Sequence, residues 1–117
     1  MTETLKVTLD RRDGLAVIFT EGYINNQGGE EIARVAYELI DDGVKILLLN
    51  LQGTKIVNSI GISILIEIIE KMLEIDGRLA FCNLTPTIEK TFHIMGLAQY
   101  AGVYPDEETA VEELKGH

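Results

Sequence analysis

A hydroxyl and an amide interrupt the most apolar part of this chain, in the segment "NSIG" at residues 58–61. The aliphatic run "VKILLLNL" comes before the segment, and an isoleucine-rich run with helical periodicity follows it. Ser59 can accept a backbone N–H of the first turn of that helix, which stabilises a helix by about 1 kcal/mol, and Asn58 can do the same. The first chemistry that the spacing predicts is therefore helix capping, with Ser59 as the cap.

A helix that begins after a glycine-bearing loop can also hold an anion, so nucleotide binding is the second chemistry to weigh. The segment "GTKIVNSIG" lacks the spacing of a Walker motif and has no lysine placed after its glycine as that motif does. Lys55 alone does not replace that lysine. The segment is therefore a weak phosphate cradle, and no cofactor is predicted.

Catalysis would need a nucleophile with a base, or a set of metal ligands. His93 follows Phe92 on a predicted helix and is interpreted as a packing residue, while His117 is the terminal residue. The spacing of cysteine and histidine does not suggest zinc. Acidic pairs such as Asp41-Asp42 are typical of helix ends in contact with solvent. The sequence therefore predicts a protein that is not an enzyme and binds no metal.

Size and charge narrow the class of protein and its partners. The 117 residues fit one domain, 1–117, and the formal net charge of −9 argues against nucleic acid and anionic membranes as partners. The pattern of a signal peptide is missing, as is a run of roughly 18 to 20 apolar residues that would span a bilayer. We therefore expect a cytoplasmic protein without membrane insertion, in which Cys82 is a buried strand thiol.

The strands that position "NSIG" follow from the apolar pattern. Residues 5–9 and 15–24 predict an antiparallel hairpin with its turn at Asp13-Gly14. The unbroken aliphatic run at 44–51 predicts a central strand covered on both faces, and residues 78–82 predict a further short strand. The segment "NLQGTKIVNSIG" is interpreted as a loop that leaves the carboxyl end of the central strand.

Helices are predicted between and after these strands. Alternation of strands and helices implies parallel neighbours joined by right-handed crossovers, with the hairpin as an antiparallel edge. The predicted fold class is thus α/β, with a small mixed, mostly parallel sheet of four or five strands and about four helices. The helices are expected after Asn25 or Asn26 up to Gly43, from about Ser59 to Asp76 before Gly77, from Thr85-Pro86 through Ile88, Phe92 and Met95 to Gly96, and after Asp106.

The second predicted helix carries more apolar surface than packing on a sheet requires. Its polar residues gather into one arc of roughly 120°, whereas a helix that only packs on a sheet needs an apolar stripe of roughly 100°. Neighbouring helices could cover the surplus. Alternatively, one flank meets a partner chain or a second copy in a homodimer, through Ile60 and Ile64 or through Ile62, Ile66 and Leu73.

The stretch "LLLNLQGTKIVNSIGISILIEI" resembles the signature of STAS domains, the fold shared by anti-sigma factor antagonists and the cytoplasmic tails of sulfate transporters. "TPTIEKTFHIMGLAQY" is similar to the third helix of that family, and "VYPDEETAVEEL" is similar to its closing strand, acidic cluster and helix. The resemblance implies a single STAS-like domain in a bacterium. It also implies regulation of transcription by partner switching, in which the domain binds an anti-sigma factor that is a serine kinase and so frees a sigma factor.

The family pattern here is Asp-Leu-Ser-Gly followed by Asp-Ser-Ser/Thr-Gly, in which the third residue of the second group is the phosphoacceptor. Asn50 and Asn58 stand where the family usually has aspartate, Ser59 keeps the first hydroxyl, and Ile60 occupies the phosphoacceptor position. Isoleucine cannot be phosphorylated. The site is therefore unswitched, or Ser59 accepts the phosphate instead, or Ser63 does so one turn later; the loss of both hydroxyl and carboxylate favours an unswitched site.

Two functions stay open on this resemblance. One is a regulatory module that binds an anti-sigma factor or a related signalling protein. The other is a STAS subunit of a larger assembly, such as a stress-signalling scaffold or a component of a lipid ABC transporter. In both cases the predicted partner-binding residues are Asn58, Ser59, Ile60, Gly61, Ile62, Ser63 and Ile64.

Overall fold

The computed structural model describes residues 5–12 and 14–115. Short apolar runs form the strands and patterns of helical period form the helices, in the order that the sequence predicts. The elements are β1 (Lys6–Arg12), β2 (Leu15–Ile24), α1 (Asn26–Asp41), β3 (Ile46–Val57), α2 (Ser59–Glu74), β4 (Arg78–Cys82), α3 (Pro86–Ile94), a 3-10 turn (Leu97–Gln99), β5 (Gly102–Tyr104) and α4 (Glu107–Lys115).

The five strands form one mixed sheet in the order β1-β2-β3-β4-β5. The β1 strand is antiparallel to β2, and every other pair of neighbours is parallel. Gly14 adopts a left-handed conformation with φ 74° in the hairpin, while Asp13 lies outside the described residues. The predicted fold class, with five strands and four α-helices, is confirmed.

Helices cover both faces of the sheet. Alternate side chains of β3 point to opposite faces, so Leu47 and Leu49 join the larger core beneath α1, α2 and α3. Leu48 joins a smaller core with Ala110 and Leu114 of α4. The central position predicted for this strand is thus confirmed, and so is the burial of the Cys82 thiol.

The β3 strand is longer than the sequence predicts. Residues 52–57, interpreted above as a loop, continue the strand and pair with β2 through Glu21 opposite Gly53 and Ile24 opposite Val57. Two register shifts accompany the pairing, and the hydroxyl oxygens of Thr20 and Thr54 lie 2.7 Å apart in the interior. The β-branched residues of "TKIV" favour this extended pairing, so only Asn58 separates β3 from α2.

The helix ends decide one open alternative and correct two details of the sequence interpretation. Asn25 is the cap of α1, because its side-chain oxygen accepts the Gly28 N–H at 2.9 Å. After α2 the left-handed residue is Asp76 with φ 58°, not Gly77. Gly77 is needed for a different reason, since a Cβ there would lie 2.8 Å from the carbonyl oxygen of Lys45. Met95, predicted as part of α3, is instead the exposed residue that caps its C-terminus.

Candidate functional site

The "NSIG" segment lies at the carboxyl edge of the sheet, where β3 passes directly into α2. The Asn58 N–H donates to the carbonyl oxygen of Ile24 at 3.1 Å, which ties the segment to the end of β2. The Asn58 side-chain oxygen accepts the Gly61 N–H at 2.8 Å. Asn58 is therefore the helix cap, and the prediction that Ser59 is the cap is wrong. Ser59 is the exposed first residue of α2, and its carbonyl oxygen accepts the Ser63 hydroxyl at 3.1 Å.

Replacing Asn58 by alanine is expected to lower the free energy of unfolding by about 1 kcal/mol, because the Gly61 N–H loses its side-chain acceptor. Urea denaturation of both proteins measures the difference. The Ser59→Ala variant is the matched control and should unfold like the wild type, since Ser59 does not cap. A Ser59→Ala loss equal to that of Asn58→Ala would contradict the cap assignment.

Two of the predicted partner-binding residues are buried, which is a correction to the sequence interpretation. Gly61 lies against the end of β2, where an added Cβ would be 2.3 Å from the carbonyl oxygen of Ile24. Ile62 is only 4% exposed and belongs to the larger core. Ile64 is half-buried and packs against α1, because a Cβ on Gly29 would lie 2.8 Å from its Cδ1 atom. Gly61, Ile62 and Ile64 therefore pack beneath the exposed residues of the segment.

The exposed part of the segment is apolar at its centre. Ile60 is 53% exposed, and Ile56 at the end of β3 is 58% exposed. Ser59 and Ser63 are exposed around them, and Asn58 is partly buried. We call Ile56, Asn58, Ser59, Ile60 and Ser63 the NSIG surface. A contiguous exposed apolar patch, unlike a single exposed side chain, is where another molecule commonly binds.

Sequence reasoning missed Ile56, because it placed this residue in a loop. The signal that could have found it is the β-branched run "TKIV", which continues the strand pattern beyond residue 51. A cavity of about 220 Å³ adjoins this residue and is lined by Gly22, Tyr23, Gly53, Lys55 and Ile56. The carboxyl ends of β2 and β3 therefore extend the candidate surface beyond the "NSIG" segment.

A polar network beneath the same edge was also missed. The buried Asn50 donates through Nδ2 to a carboxylate oxygen of Glu107 at 2.9 Å, and its Oδ1 accepts from Asn83 Nδ2 at 3.1 Å and from the Gln52 N–H at 3.0 Å. The other Glu107 oxygen accepts from Arg12 at 2.8 Å. An aspartate at position 50 would face this carboxylate without a proton to donate. The network thus gives a physical reason for asparagine at this position.

Cys82 lies in the smaller core, beside this network. Burial, reinforced by the carboxylates of Glu107 and Asp106, raises the pKa of the Cys82 thiol to about 12. The thiolate is the nucleophile, so Cys82 is expected to resist iodoacetamide at pH 8 until α4 detaches or the chain unfolds. Mass spectrometry after a timed exposure, with and without denaturant, measures the modification. Complete labelling of the folded protein within minutes would contradict the buried, protonated thiol.

The same shift predicts how stability depends on pH. The folded thiol has its pKa raised from 9.0 to about 12, so it holds its proton more tightly than the unfolded thiol does. This contribution to stability is fully present below pH 9 and is lost as the pH rises toward 12, by at most about 1.4 kcal/mol per pH unit. Unfolding of the wild type and of Cys82→Ala, compared at pH 8 and pH 10, should show the steeper loss in the wild type. Equal losses of stability in the two proteins between pH 8 and pH 10 would contradict the raised pKa of the Cys82 thiol.

The other groups considered for chemistry lie apart from this surface. His93 is exposed on α3, with Nε2 3.9 Å from a carboxylate oxygen of Glu89, so its interpretation as a packing residue is wrong. Within residues 5–12 and 14–115, acidic, histidine and cysteine side chains do not form a group of three or more that could hold a metal ion. Within the same residues, the helices are too short or too polar to cross a membrane.

Most of the surplus apolar surface of α2 is covered within the chain. Ile62, Leu65, Ile68, Ile69 and Met72 are buried in the larger core. On one predicted flank Ile60 is exposed, whereas Ile64 packs against α1. On the other flank Ile62 is buried, whereas Ile66 and Leu73 border a groove next to α3. Neighbouring helices therefore cover the apolar side chains in the middle of α2, and each end of the helix keeps an exposed apolar side chain.

Comparison with known proteins places this geometry in a family. The family model described as the STAS domain matches residues 6–110. BtrV of Bordetella bronchiseptica, whose name gives it as a candidate anti-sigma factor antagonist, is 23% identical over 111 residues, covering 95% of this chain and 96% of BtrV. The anti-sigma F factor antagonist of Lysinibacillus sphaericus is 25% identical over 101 residues and covers 86% of each chain.

Solved structures have the same fold. The anti-sigma factor antagonist SpoIIAA in its unphosphorylated form superposes with a TM-score of 0.79 at 19% identity, covering 96% of this chain and all 100% of SpoIIAA. The phosphorylated form of this Bacillus protein superposes with a TM-score of 0.74 at 21% identity, covering 92% and 98% of the two chains. At these identities the structural likeness establishes the fold alone.

Proposed function

The chain belongs to the STAS domain family, and from that premise we propose that it is a protein-binding regulator of the anti-sigma factor antagonist type. It binds an anti-sigma factor through the NSIG surface and thereby frees a sigma factor. The observation that carries the proposal is the exposure of Ile60, which is 53% accessible on the first turn of α2. The proposal assigns no catalytic step to the chain, and it places the protein in the cytoplasm, where sigma factors act.

The chemistry of the surface supports a protein partner. Ile56 and Ile60 supply apolar area whose removal from water contributes roughly 25 cal/mol per Å². The hydroxyls of Ser59 and Ser63 at its rim keep hydrogen-bonding capacity when water leaves. The names of two relatives over most of the chain, both anti-sigma factor antagonists, point to the same class of partner.

We further propose that binding is not switched by phosphorylation at position 60. Ile60 has no hydroxyl, and its aliphatic side chain stays apolar under every condition in which a kinase would act. Ser59 is the alternative acceptor, because it is exposed at the positive end of the α2 dipole, where a phosphate would be stabilised. Ser63 is the weaker alternative, since its hydroxyl donates to the Ser59 carbonyl oxygen.

The test uses the full chain and the purified anti-sigma factors of the source organism. Isothermal titration should find at least one that binds, and incubation of that complex with ATP should leave the intact mass of the chain unchanged. A mass gain of one phosphate on Ser59 or Ser63 would overturn the unswitched site. Failure of every anti-sigma factor to bind, together with co-purification of a transporter ATPase or a multi-copy STAS assembly, would favour a structural subunit instead.

A further inference from the structure

A second exposed apolar site lies at the other end of α2. Leu73, Met95 and Tyr100 are 48%, 49% and 65% exposed, and they border a groove of about 440 Å³ between α2 and the end of α3. Ile66 and Glu70 continue the groove along α2. We call this the α2–α3 groove. None of its five named residues belongs to the NSIG surface, which occupies the beginning of the same helix.

The groove lies where α3 ends and the chain enters the 3-10 turn, next to residues 66–73 of α2. The α3 helix has 9 residues and α2 has 16, so at 1.5 Å per residue α3 is about 10 Å shorter. Gly96, with φ 86°, turns the chain away after α3, and Leu97 is the next side chain to enter the core. The side chain of Met95 is left exposed, and Met95 and Leu73 both line the groove. Two large apolar side chains thus face solvent at this groove.

The charge around the groove indicates what can occupy it. Among the described residues that line it, Glu70 is the only charged one. Glu67 and Glu74 lie one turn before and after it on α2, and Lys71 lies 3.6 Å from a Glu74 oxygen. With a formal net charge of −9, this chain favours a cationic partner at such a site. A second copy of this chain would instead bring the same net charge of −9 to the site.

We propose that the α2–α3 groove docks a cationic amphipathic helix of a second protein. Its apolar residues enter between Leu73 and Met95, and its lysines or arginines lie beside Glu70. Amphipathic helices commonly bind grooves between helices in this way. The site is separate from the NSIG surface, so one chain holds two proteins at once. The inference does not depend on the identity of the partner at the NSIG surface.

The probe is a labelled synthetic peptide of about 16 residues, with leucines on one helical face and lysines beside them. A peptide with glutamates in place of the lysines is its control. We expect the lysine peptide to bind in fluorescence anisotropy and to shift the amide resonances of residues 66–73 and 95–100. The glutamate peptide should bind at least about tenfold more weakly. Equal binding of both peptides, or shifts centred on residues 56–63, would overturn the proposal.

Variants of the chain distinguish binding in the α2–α3 groove from general attraction of the lysine peptide to an acidic protein. Leu73→Gln and Met95→Gln add no charge, and together they should weaken binding by about tenfold. Glu70→Gln should weaken it by a few fold at low salt and reduce its salt dependence. Leu9→Gln is the matched control, because Leu9 is also exposed but lies on β1, and it should bind like the wild type. Equal weakening by Leu9→Gln would also contradict the groove.

Discussion

Replacing Ile60 by glutamate is expected to weaken binding of the anti-sigma factor by about 100-fold or more, equivalent to about 2.7 kcal/mol. Ile60 is the exposed apolar residue at the centre of the NSIG surface. A carboxylate at this position would be removed from water on binding without a positive charge or hydrogen-bond donor to pair with it. The folded chain should keep its stability. An acidic side chain on the first turn of α2 lies at the positive end of the helix dipole. Isothermal titration gives the affinity, and thermal unfolding checks the fold.

Two control variants make the Ile60 result specific. Leu9→Glu places the same charge on an exposed apolar residue of β1, outside the NSIG surface, and should bind normally. Ile60→Leu keeps an apolar side chain of similar volume and should retain affinity within a few fold. If Ile60→Glu binds like the wild type while the same partner binds tightly, the contact surface lies elsewhere. Ile60→Ser adds a further readout, since it returns a hydroxyl to the position where the family carries its phosphoacceptor.

Substituting Gly61 by alanine should cost about 3 kcal/mol of stability, the largest loss expected from any single methyl group in this region. The new Cβ would lie 2.3 Å from the carbonyl oxygen of Ile24 and 2.9 Å from its Cγ2 atom. The shortest contact is with a backbone atom, which cannot move aside as a flexible side chain could. The same carbonyl accepts the Asn58 N–H, so moving it also loosens the start of α2. Denaturant unfolding measures the loss.

The matched control for Gly61→Ala is Ser63→Ala, an exposed change two residues along the same helix that should shift stability by less than about 0.5 kcal/mol. We also expect Gly61→Ala to weaken partner binding, because Ile60 is carried on the displaced turn. A Gly61→Ala protein with wild-type stability would show that α2 can move away from β2 without cost. The close approach would then have no structural importance.

The order of the elements could be predicted because each segment's apolar pattern agrees with the position it takes in the fold. Leu47, Leu48 and Leu49 needed cover on both faces, and the sheet supplies it. The end of β3 was not predicted, because residues 52–57 mix polar and apolar types and only the run "TKIV" within them indicates a strand. Their strand pairing depends on β2, a neighbour that local pattern does not reveal.

The candidate site was found by its segment but not by its individual roles. Both Asn58 and Ser59 are good caps, and a shift of one residue in the helix start decides between them. Ile62 and Ile60 look alike in sequence, yet one belongs to the core and the other is exposed, because the direction of α2 relative to α1 selects the buried side. The Asn50 network joins residues 57 positions apart, a separation that spacing rules do not reach.

That network also bears on the order in which the fold opens. Among the described elements, α4 alone covers its face of the sheet, and the ion pair between Arg12 and Glu107 closes a sequence separation of 95 residues. Detachment of α4 would uncover Cys82 while the three helices on the opposite face stay packed. Helix α4 is therefore the element in which hydrogen exchange and thiol labelling should first detect partial unfolding.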